Sequence, residues 1–407
     1  MNAPQRALDL GSLGLDRGGH LLVLRALRTL APGEALTITG THPDLALQLS
    51  VFAREGGHAL SILAHSTSGE SRSFELRAGP SLDARAKGAS RAGSALHDRE
   101  HRGIAERADA RWGLAGRGAL VEAGAPEWDF SLDRAEVVWT DEARKLYQQA
   151  AASQWDPETA IPWNEPITHP RAVEDAIVQV MTYLIENENA ALLVPARFLG
   201  RMHPHYREVV QLMAIQIADE ARHVEVFTRR ALLQSNELAL STVGGQRSLQ
   251  TLFEESDFIL SNVLLSVLGE GSFVDLLRFL EEHAPDPITR VIADLTARDE
   301  SRHVAAGMAH VRWAIEREPA DRARIRGSIE HRHRALQHTS GLNAEVFDAL
   351  ILLAAGSFAP DDIGRGFDAV QLLQRRMLEG RVRRLERLGF GEGEAETLAG
   401  LHTRNFM

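Results

Sequence analysis

The hexapeptide Asp-Glu-Ala-Arg-His-Val at residues 219–224 recurs, with one change, as Asp-Glu-Ser-Arg-His-Val at residues 299–304. Residues three apart in an α-helix lie on the same side, about 5–6 Å from each other. Glu220 with His223, and Glu300 with His303, therefore each offer a carboxylate and an imidazole to one ion. A single Glu-x-x-His occurs by chance in many charged helices, but the repeated hexapeptide predicts a two-part metal site.

Apolar residues recur at helical spacing around both hexapeptides, which predicts four long helices at residues 170–201, 205–234, 248–283 and 287–318. Pro170 and Pro287 stand at first-turn positions, where proline is favoured, and Pro319 ends the fourth helix. Short turns join the first helix to the second and the third to the fourth, so we expect two antiparallel hairpins. Each hexapeptide lies in the second helix of its hairpin. Further helices are predicted near residues 322–339, 344–355 and 361–388.

The first helix of each hairpin must supply a carboxylate at the depth of the hexapeptide, roughly 30 positions earlier at about 1.5 Å per residue. Glu270 precedes Glu300 by 30 residues and interrupts the apolar run VLLSVLGEGSFVDLL between two glycines. In the other hairpin Glu186 and Glu188 compete. Glu188 is favoured because its helical face is more apolar, and Glu186 remains the alternative. The predicted ligands are thus Glu188, Glu220, His223, Glu270, Glu300 and His303.

The composition restricts the chemistry. None of the 407 residues is cysteine, which excludes disulfides, thiolate metal sites, iron–sulfur clusters and a cysteine nucleophile; no catalytic nucleophile is predicted. Any metal must be held by His, Asp and Glu.

Of the 56 acidic and 45 basic residues, 42 acidic and 30 basic residues fall in residues 128–407, and this net negative charge disfavours nucleic acid. No secretory leader is visible, and the longest strongly apolar run, residues 349–356, is too short for a membrane span. We expect a cytoplasmic protein that binds neither nucleic acid nor membrane.

One Glu from each of two helices and one Glu-x-x-His from each of the other two is an arrangement that resembles the ferritin-like di-iron carboxylate superfamily. The resemblance covers residues 128–407 and implies a ferritin-like four-helix bundle with two Fe ions, Mn being the alternative, and O2 as co-substrate. It also implies that Asp219 accepts the Nδ1–H of His303 and that Asp299 accepts that of His223. Arg222 and Arg302 are expected to point away from the cluster into surface salt bridges. Pocket residues are expected at Tyr183, Gln216 and Thr296.

A Trp-rich approach segment, a long crossover and added C-terminal helices suit an enclosed pocket for an organic substrate. We therefore predict an O2-dependent oxygenase or oxidase that performs hydroxylation, N-oxygenation or desaturation of a small molecule and draws on an external electron donor. Three alternatives within the superfamily stay open. They are an iron-binding ferroxidase, a radical-generating protein and a di-manganese catalase.

Residues 1–78 carry a separate pattern, β-α-β-α-β-β, with strands at residues 7–10, 35–40, 59–65 and 71–77 and helices at 20–30 and 45–55. The stretches LDLGSLG, LLVLRALRTLAPGEALTITGTHPD and VFAREGGHAL resemble the TusA-like sulfur-carrier family. Asp16 stands where that family has the cysteine of its Cys-Pro-x-Pro motif. The resemblance therefore implies a domain without sulfur transfer that docks a partner or stabilises the enzyme. Residues 79–127 are rich in Ala and Gly and are predicted to be a linker to a helical domain at residues 128–407. A homodimer is compatible with this plan.

Overall fold

A computed structural model of the chain describes residues 6–65, 71–79, 88–94, 103–337 and 344–401. The chain divides into two compact units. The first unit comprises residues 1–91 with 119–125, and the second comprises residues 92–118 with 126–407.

The first unit has the predicted order β-α-β-α-β-β. Its elements are β1 (Ala7–Asp9), α1 (Gly19–Leu27), β2 (Ala35–Gly40), α2 (Leu45–Gly56), β3 (Ala59–His65) and β4 (Arg72–Arg77). The sheet order is β1-β2-β4-β3, with β1 parallel to β2 and the other pairs antiparallel. Leu36 and Ile38 alternate along β2 and pack on Val23, Leu27 and Leu49 from the two helices, as a half-buried strand should. A two-stranded antiparallel sheet of β5 (Ser90–Arg91) and β6 (Leu120–Val121) also belongs to this unit.

The second unit is helical and contains the predicted four-helix bundle. Its elements are α3 (Ala135–Val138), α4 (Ala143–Ala152), α5 (Pro157–Ala160), α6 (Arg171–Leu199), α7 (Arg207–Ala231), α8 (Val243–Glu254), α9 (Phe258–Asn262), a π-helix (Val263–Glu270), α10 (Gly271–His283), α11 (Pro287–Arg317), α12 (Asp321–Leu336), α13 (Ala344–Ala355), α14 (Pro360–Arg387) and α15 (Glu392–Gly400). The helices α6 and α7 pack together, as do α10 and α11. Leu184, Phe227, Leu277 and Val311, one from each of these helices, lie in the shared core.

The prediction of one helix over residues 248–283 is wrong. The helix α8 ends at Glu254, and a new helical run begins at Phe258. Asp257 starts this run because its carboxylate accepts hydrogen bonds from the backbone N–H groups of Ile259 (2.9 Å) and Leu260 (3.0 Å). The third helix of the bundle therefore consists of α9, the π-helix and α10 joined end to end.

The C-terminal helices cover the bundle. Three of them, α12, α13 and α14, were predicted, although the last predicted residues of the first, 338 and 339, lie outside the described residues. The short, glutamate-rich α15 was missed because its sequence has no clear apolar face. The helix α13 packs on α6, and α14 packs on α10. Among the helices that the structure describes, none is both long and apolar enough to span a membrane.

Part of the predicted linker is built into the second unit. The backbone N–H of Ala105 donates to Nε2 of His205 (2.8 Å), and buried Arg117 pairs with buried Glu208. Residues 80–87 and 95–102, also within the predicted linker, lie outside the described residues.

Candidate metal centre

Six side chains from four helical runs meet in the interior of the bundle. None of them has more than 4% of its surface exposed. They are Glu188 on α6, Glu220 and His223 on α7, Glu270 at the end of the π-helix, and Glu300 and His303 on α11. These are the six residues that the sequence predicted as ligands, and the structure brings all of them together.

Their ligand atoms form two overlapping groups, and within each group the atoms lie within 4.8 Å of one another. One group contains Glu188, Glu220, His223 and Glu300; the other contains Glu220, Glu270, Glu300 and His303. Two carboxylates thus belong to both groups. Each group also has a Glu and a His of its own.

The shared carboxylates are oriented to serve two positions at once. Oε2 of Glu220 lies 3.0 Å from Nδ1 of His223, and Oε1 lies 2.9 Å from Nδ1 of His303. Oε1 of Glu300 lies 3.3 Å from the first of these nitrogens, and Oε2 lies 3.5 Å from the second. Each carboxylate therefore presents a different oxygen to each half of the cluster, as a bridging ligand does.

Several buried atoms of the cluster make no hydrogen bond within the described residues. They are Oε1 of Glu188, Oε2 of Glu270, both oxygens of Glu300 and Nδ1 of His303. The short distance from that Nδ1 to Glu220 does not have hydrogen-bond geometry. Buried polar atoms are normally paired, and carboxylate oxygens and imidazole nitrogens are good ligands for divalent transition metals. Four carboxylates would also balance the charge of two divalent cations, so the residues present fit a metal pair.

In the protein without metal, burial and neighbouring charges favour the protonated forms of four cluster residues. Burial, with repulsion from Glu220 and Glu300, raises the pKa of Glu188 well above its usual range. Burial and the same two neighbours raise the pKa of Glu270 in the same direction. Burial lowers the pKa of the two histidines, but the facing carboxylates outweigh it and raise both well above normal. Cations would displace these protons, so metal binding should release them.

The structure places Glu186 and Glu188 in different surroundings. The carboxylate of Glu188 lies in the cluster, 3.5 Å from Nδ1 of His223. Glu186 is only half-buried and lies beside Ser241 and Gln246, which are outside the cluster. The geometry favours Glu188 as the ligand.

Asp219 and Asp299 each face the histidine of the opposite hexapeptide. Nε2 of His303 lies 3.3 Å from Asp219, and Nε2 of His223 lies 3.1 Å from Asp299. The crossed pairing is the one that the resemblance implied, but the expected contact through Nδ1 is wrong. Nδ1 is nearer the main chain and faces the glutamate one turn earlier, whereas Nε2 reaches across to the other hairpin.

The expectation of surface positions for the hexapeptide arginines is also wrong. Nη2 of Arg222 lies 2.5 Å from Oδ1 of Asp219 and 2.8 Å from Oδ2 of Asp299, and only 10% of its side chain is exposed. Arg302 pairs with Asp299. The two hexapeptides face each other, so the surface that a lone helix would expose is covered by its partner. Despite burial, the pKa of each aspartate lies below its usual range. For Asp219 the main cause is His303, and for Asp299 it is His223, with a further contribution from Arg222.

A dipeptide from the Trp-rich segment completes these contacts. Nε2 of Gln154 donates to Asp219 (2.8 Å), and Nε1 of Trp155 donates to Asp299 (2.8 Å). Arg222 lies over the ring of Trp155, 4.5 Å from its centroid. The sequence did not indicate which residues this segment contacts, because the partners are 65 and 144 positions away.

Glu270 is positioned by the π-helix, an element that is rare and often found at functional sites. Two glycines allow close packing around it. A Cβ on Gly271 would lie 2.4 Å from Cζ of Arg384 on α14, and one on Gly307 would lie 2.5 Å from Cβ of Ser266 in the π-helix. Gly307 therefore lets α11 approach the π-helix closely, and Gly271 leaves room for the side chain of Arg384.

A narrow cavity reaches the cluster. Its polar end includes Gln216, Glu220 and Glu270. Ser261, Asn262 and Ser266 also line it, and the remaining lining residues are apolar: Ala191, Val194, Pro195, Phe198, Met213, Phe258 and Leu265. About 30 Å³ is open to the centres of water-sized molecules, enough for roughly two waters. Gln216 lines this cavity, whereas Tyr183 and Thr296, also expected at a pocket, do not; both are buried elsewhere in their helices.

No family model matches the chain, and no curated protein matches it. Among solved structures, the chain is similar to a protein with aldehyde deformylating oxidase activity from Synechococcus, at 20% identity and a TM-score of 0.41. That match covers 57% of this chain and 98% of the other.

The chain is also similar to variants of an R2-like ligand-binding oxidase. One variant, with a reconstituted Fe/Fe cofactor, is 16% identical with a TM-score of 0.47, and the match covers 60% of this chain and 92% of that one. Another, with a Mn/Fe cofactor, is 16% identical with a TM-score of 0.47, covering 61% and 94%. At this level of similarity, the function of the chain has to be inferred from its own side chains.

Proposed function

We propose that the second unit is an O2-dependent non-haem di-iron oxygenase or oxidase that acts on a small organic substrate by hydroxylation, N-oxygenation or desaturation. The observation that carries the proposal is the pair of ligand groups that share Glu220 and Glu300 and adjoin a partly apolar cavity. Iron is the metal we favour, and the same ligand set is compatible with manganese.

In this proposal Glu188 and His223 would hold one ion and Glu270 and His303 the other, while Glu220 and Glu300 would contribute to both. When bound, a reduced iron pair supplies the electrons that activate O2. An external electron donor then has to restore the reduced pair for the next turnover.

The surrounding residues hold the imidazoles in a productive orientation. Asp219 and Asp299 accept from the far nitrogens of the histidines, which fixes the ring orientation and leaves Nδ1 directed at the cluster. Arg222 lies between the two aspartates and stabilises both negative charges.

The cavity gives the substrate a defined approach. Its apolar residues favour a slender apolar group, while the amide of Gln216 can hydrogen-bond a polar substituent beside Glu220 and Glu270. The oxidised atom would lie at this polar end. Because the open space holds only about two waters, a longer substrate requires the side chains of the wall to move.

The test is anaerobic loading of the full chain with Fe(II), followed by metal counting and then by exposure to O2. We expect two iron ions per chain and rapid O2 uptake that depends on them, both lost in Glu220→Ala and kept in Glu186→Ala. Loading with many ions would instead support an iron store. Disproportionation of peroxide by a manganese-loaded protein, without O2 uptake by the iron form, would support a catalase.

For the first unit, we infer a TusA-like fold that has no sulfur chemistry and binds a protein partner. In support, Asp16 stands at the position of the missing cysteine, and its carboxylate accepts a hydrogen bond from Gln48 (2.8 Å). We expect Asp16→Ala to leave the iron content of the full chain unchanged. A loss of iron in that variant would contradict this separation of roles.

A further inference from the structure

Oxygen-bearing side chains from two helices line the cavity that reaches the metal cluster. On the third helix of the bundle, Asn262, Ser266 and Glu270 follow one another at four-residue spacing, and all three line the cavity. On α7, Gln216 and Glu220 have the same spacing and line it as well. Side chains four residues apart lie on the same side of a helix, so each helix presents a row of polar groups to the cavity.

The two rows begin at partly exposed residues and end at buried ligands of the cluster. Asn262 and Gln216 are partly exposed, whereas Ser266 and the two glutamates are buried. Nδ2 of Asn262 donates to the backbone carbonyl of Phe258 (2.9 Å), which leaves the amide oxygen available to another group. At the inner end, Oε2 of Glu270 is buried and makes no hydrogen bond within the described part of the chain.

The cavity adjoins the two ligand groups unequally. Glu270, which lines it, belongs only to the group that contains His303, and Glu220 belongs to both groups. Glu188 and His223, which belong only to the other group, do not line the cavity. Anything that passes along the cavity therefore reaches the Glu270 group first.

We propose that this cavity is the route by which divalent metal ions enter the bundle, with the oxygens of Asn262, Gln216 and Ser266 as transient ligands. The inference rests on the metal pair of the proposed function. An ion that leaves water needs other oxygen atoms in place of its hydration shell, and carboxylate and carbonyl oxygens suit Mn(II). The open space of about 30 Å³ holds roughly two waters, so it also admits one ion with one water.

Charge near the apolar part of the cavity does not close the route. Moving an ion past apolar groups alone is costly, and the two polar rows reduce this cost. Arg197 and Arg201 lie over the ring of Phe198, which lines the cavity, but neither arginine lines it. Arg197 donates to the backbone carbonyls of Phe253 and Glu255. These guanidiniums therefore oppose a passing ion less than they would from within the lining.

The experiment measures how fast Mn(II) enters and leaves the full, initially metal-free chain in the absence of O2. Loss of the EPR signal of free Mn(II) gives the rate of entry, and an excess of chelator gives the rate of release. A transient ligand stabilises the ion in transit and not the bound ion, so its removal slows both rates equally. We expect Asn262→Leu and Gln216→Leu each to slow both rates at least tenfold, while two ions still bind with unchanged affinity.

Gln211→Leu, at an exposed position on the same helix as Gln216, is the matched control and should load like the parent. Ser266→Ala removes only a hydroxyl and should also slow both rates, so it serves as the second test if the leucine variants do not fold.

Unchanged rates in any folded cavity variant would overturn the route. Slower entry with faster release would overturn it too, because that result means weaker binding and not slower passage. Both results leave the proposed function intact, whereas a parent chain that binds no Mn(II) would overturn the route and the proposed metal pair together.

Discussion

Two buried groups of charged residues in the helical unit differ in whether their polar atoms find hydrogen-bond partners within the protein. Around Arg230, the guanidinium donates to Glu174 (2.8 and 2.9 Å), Asp286 (2.8 Å) and Thr289 (2.8 Å). In the cluster of four glutamates and two histidines, several oxygens and one imidazole nitrogen make no hydrogen bond to any described residue. We call the first group closed, because its charges are paired with one another, and its role is structural. The second has the features of a binding site.

The ionisation of the two groups shows the same difference. Burial opposes the charge of Arg230, but its two acids outweigh burial and raise its pKa. The pKa values of Glu174 and Asp286 are lowered in return, so each charge stabilises the others. In the cluster, burial and like charge raise the pKa of Glu188 and Glu270, because too many acids face too few cations. Buried charge that the protein leaves unbalanced is thus a better marker of function than buried charge itself.

The largest effect is expected from removing a shared ligand. Glu220→Ala removes a carboxylate from both groups, so we expect metal content after Fe(II) loading to fall from two ions per chain to nearly none. Glu188→Ala affects one group and should retain about one ion. Elemental analysis checks both, with Glu186→Ala as the matched control on the same helix. Two ions in Glu220→Ala would place the metals elsewhere.

The closed group should respond in stability and not in metal content. Arg230→Leu leaves two buried acids without their partner, which should lower the free energy of unfolding by about 3–5 kcal/mol. Urea denaturation measures this loss. The folded variant should still load two ions. A loss of metal as complete as that of Glu220→Ala would contradict the claim that the Arg230 group has only a structural role.

A smaller effect is expected from the residues that support the histidines. Asp219→Asn and Arg302→Met should weaken metal binding by about 10–100-fold without abolishing it. Competition with a chelator gives the affinities. Arg298→Met, on the same helix and with 62% of its side chain exposed, is the control and should bind like the parent. Equal affinities in all three variants would mean that the residues around the Nε2 atoms of the histidines do not contribute to metal affinity.

The smallest effect is a difference in acid stability. The pKa of Glu174 is lowered in the folded protein, so its contribution is present above the ordinary value of 4.5 and is lost as pH falls below it. Glu174→Gln should therefore lose less stability than the parent between pH 5 and pH 3, by about 1 kcal/mol. Denaturant midpoints across this range provide the measurement, and Asp175→Asn, at an exposed position, is the control. Parallel curves for Glu174→Gln and the parent would contradict the assignment.

Regular spacing explains why much of the fold was predictable. Helical periodicity is local, and a short turn fixes the depth of one helix against the next, so counting back from Glu300 was sufficient to select Glu270. The interruption at Asp257 and the π-helix were not predictable, because both depend on how a continuous apolar stretch packs against its neighbours.

The surroundings of the cluster were predictable only in part. The crossed Asp–His pairing followed from the resemblance, but the nitrogen involved depends on the rotamers of the folded side chains. Arg222 seemed exposed because a single helix does not reveal what covers it. Gln154 and Trp155 carry no local pattern, since their partners come from distant parts of the chain.

The most direct test of the account is anomalous diffraction at the iron edge from crystals of the Fe(II)-loaded full chain. We predict two peaks in the bundle, about 3.5–4 Å apart, with Glu220 and Glu300 in contact with both. One peak should also contact Glu188 and His223, and the other should also contact Glu270 and His303. A single peak, or peaks only at surface histidines, would contradict the central claim.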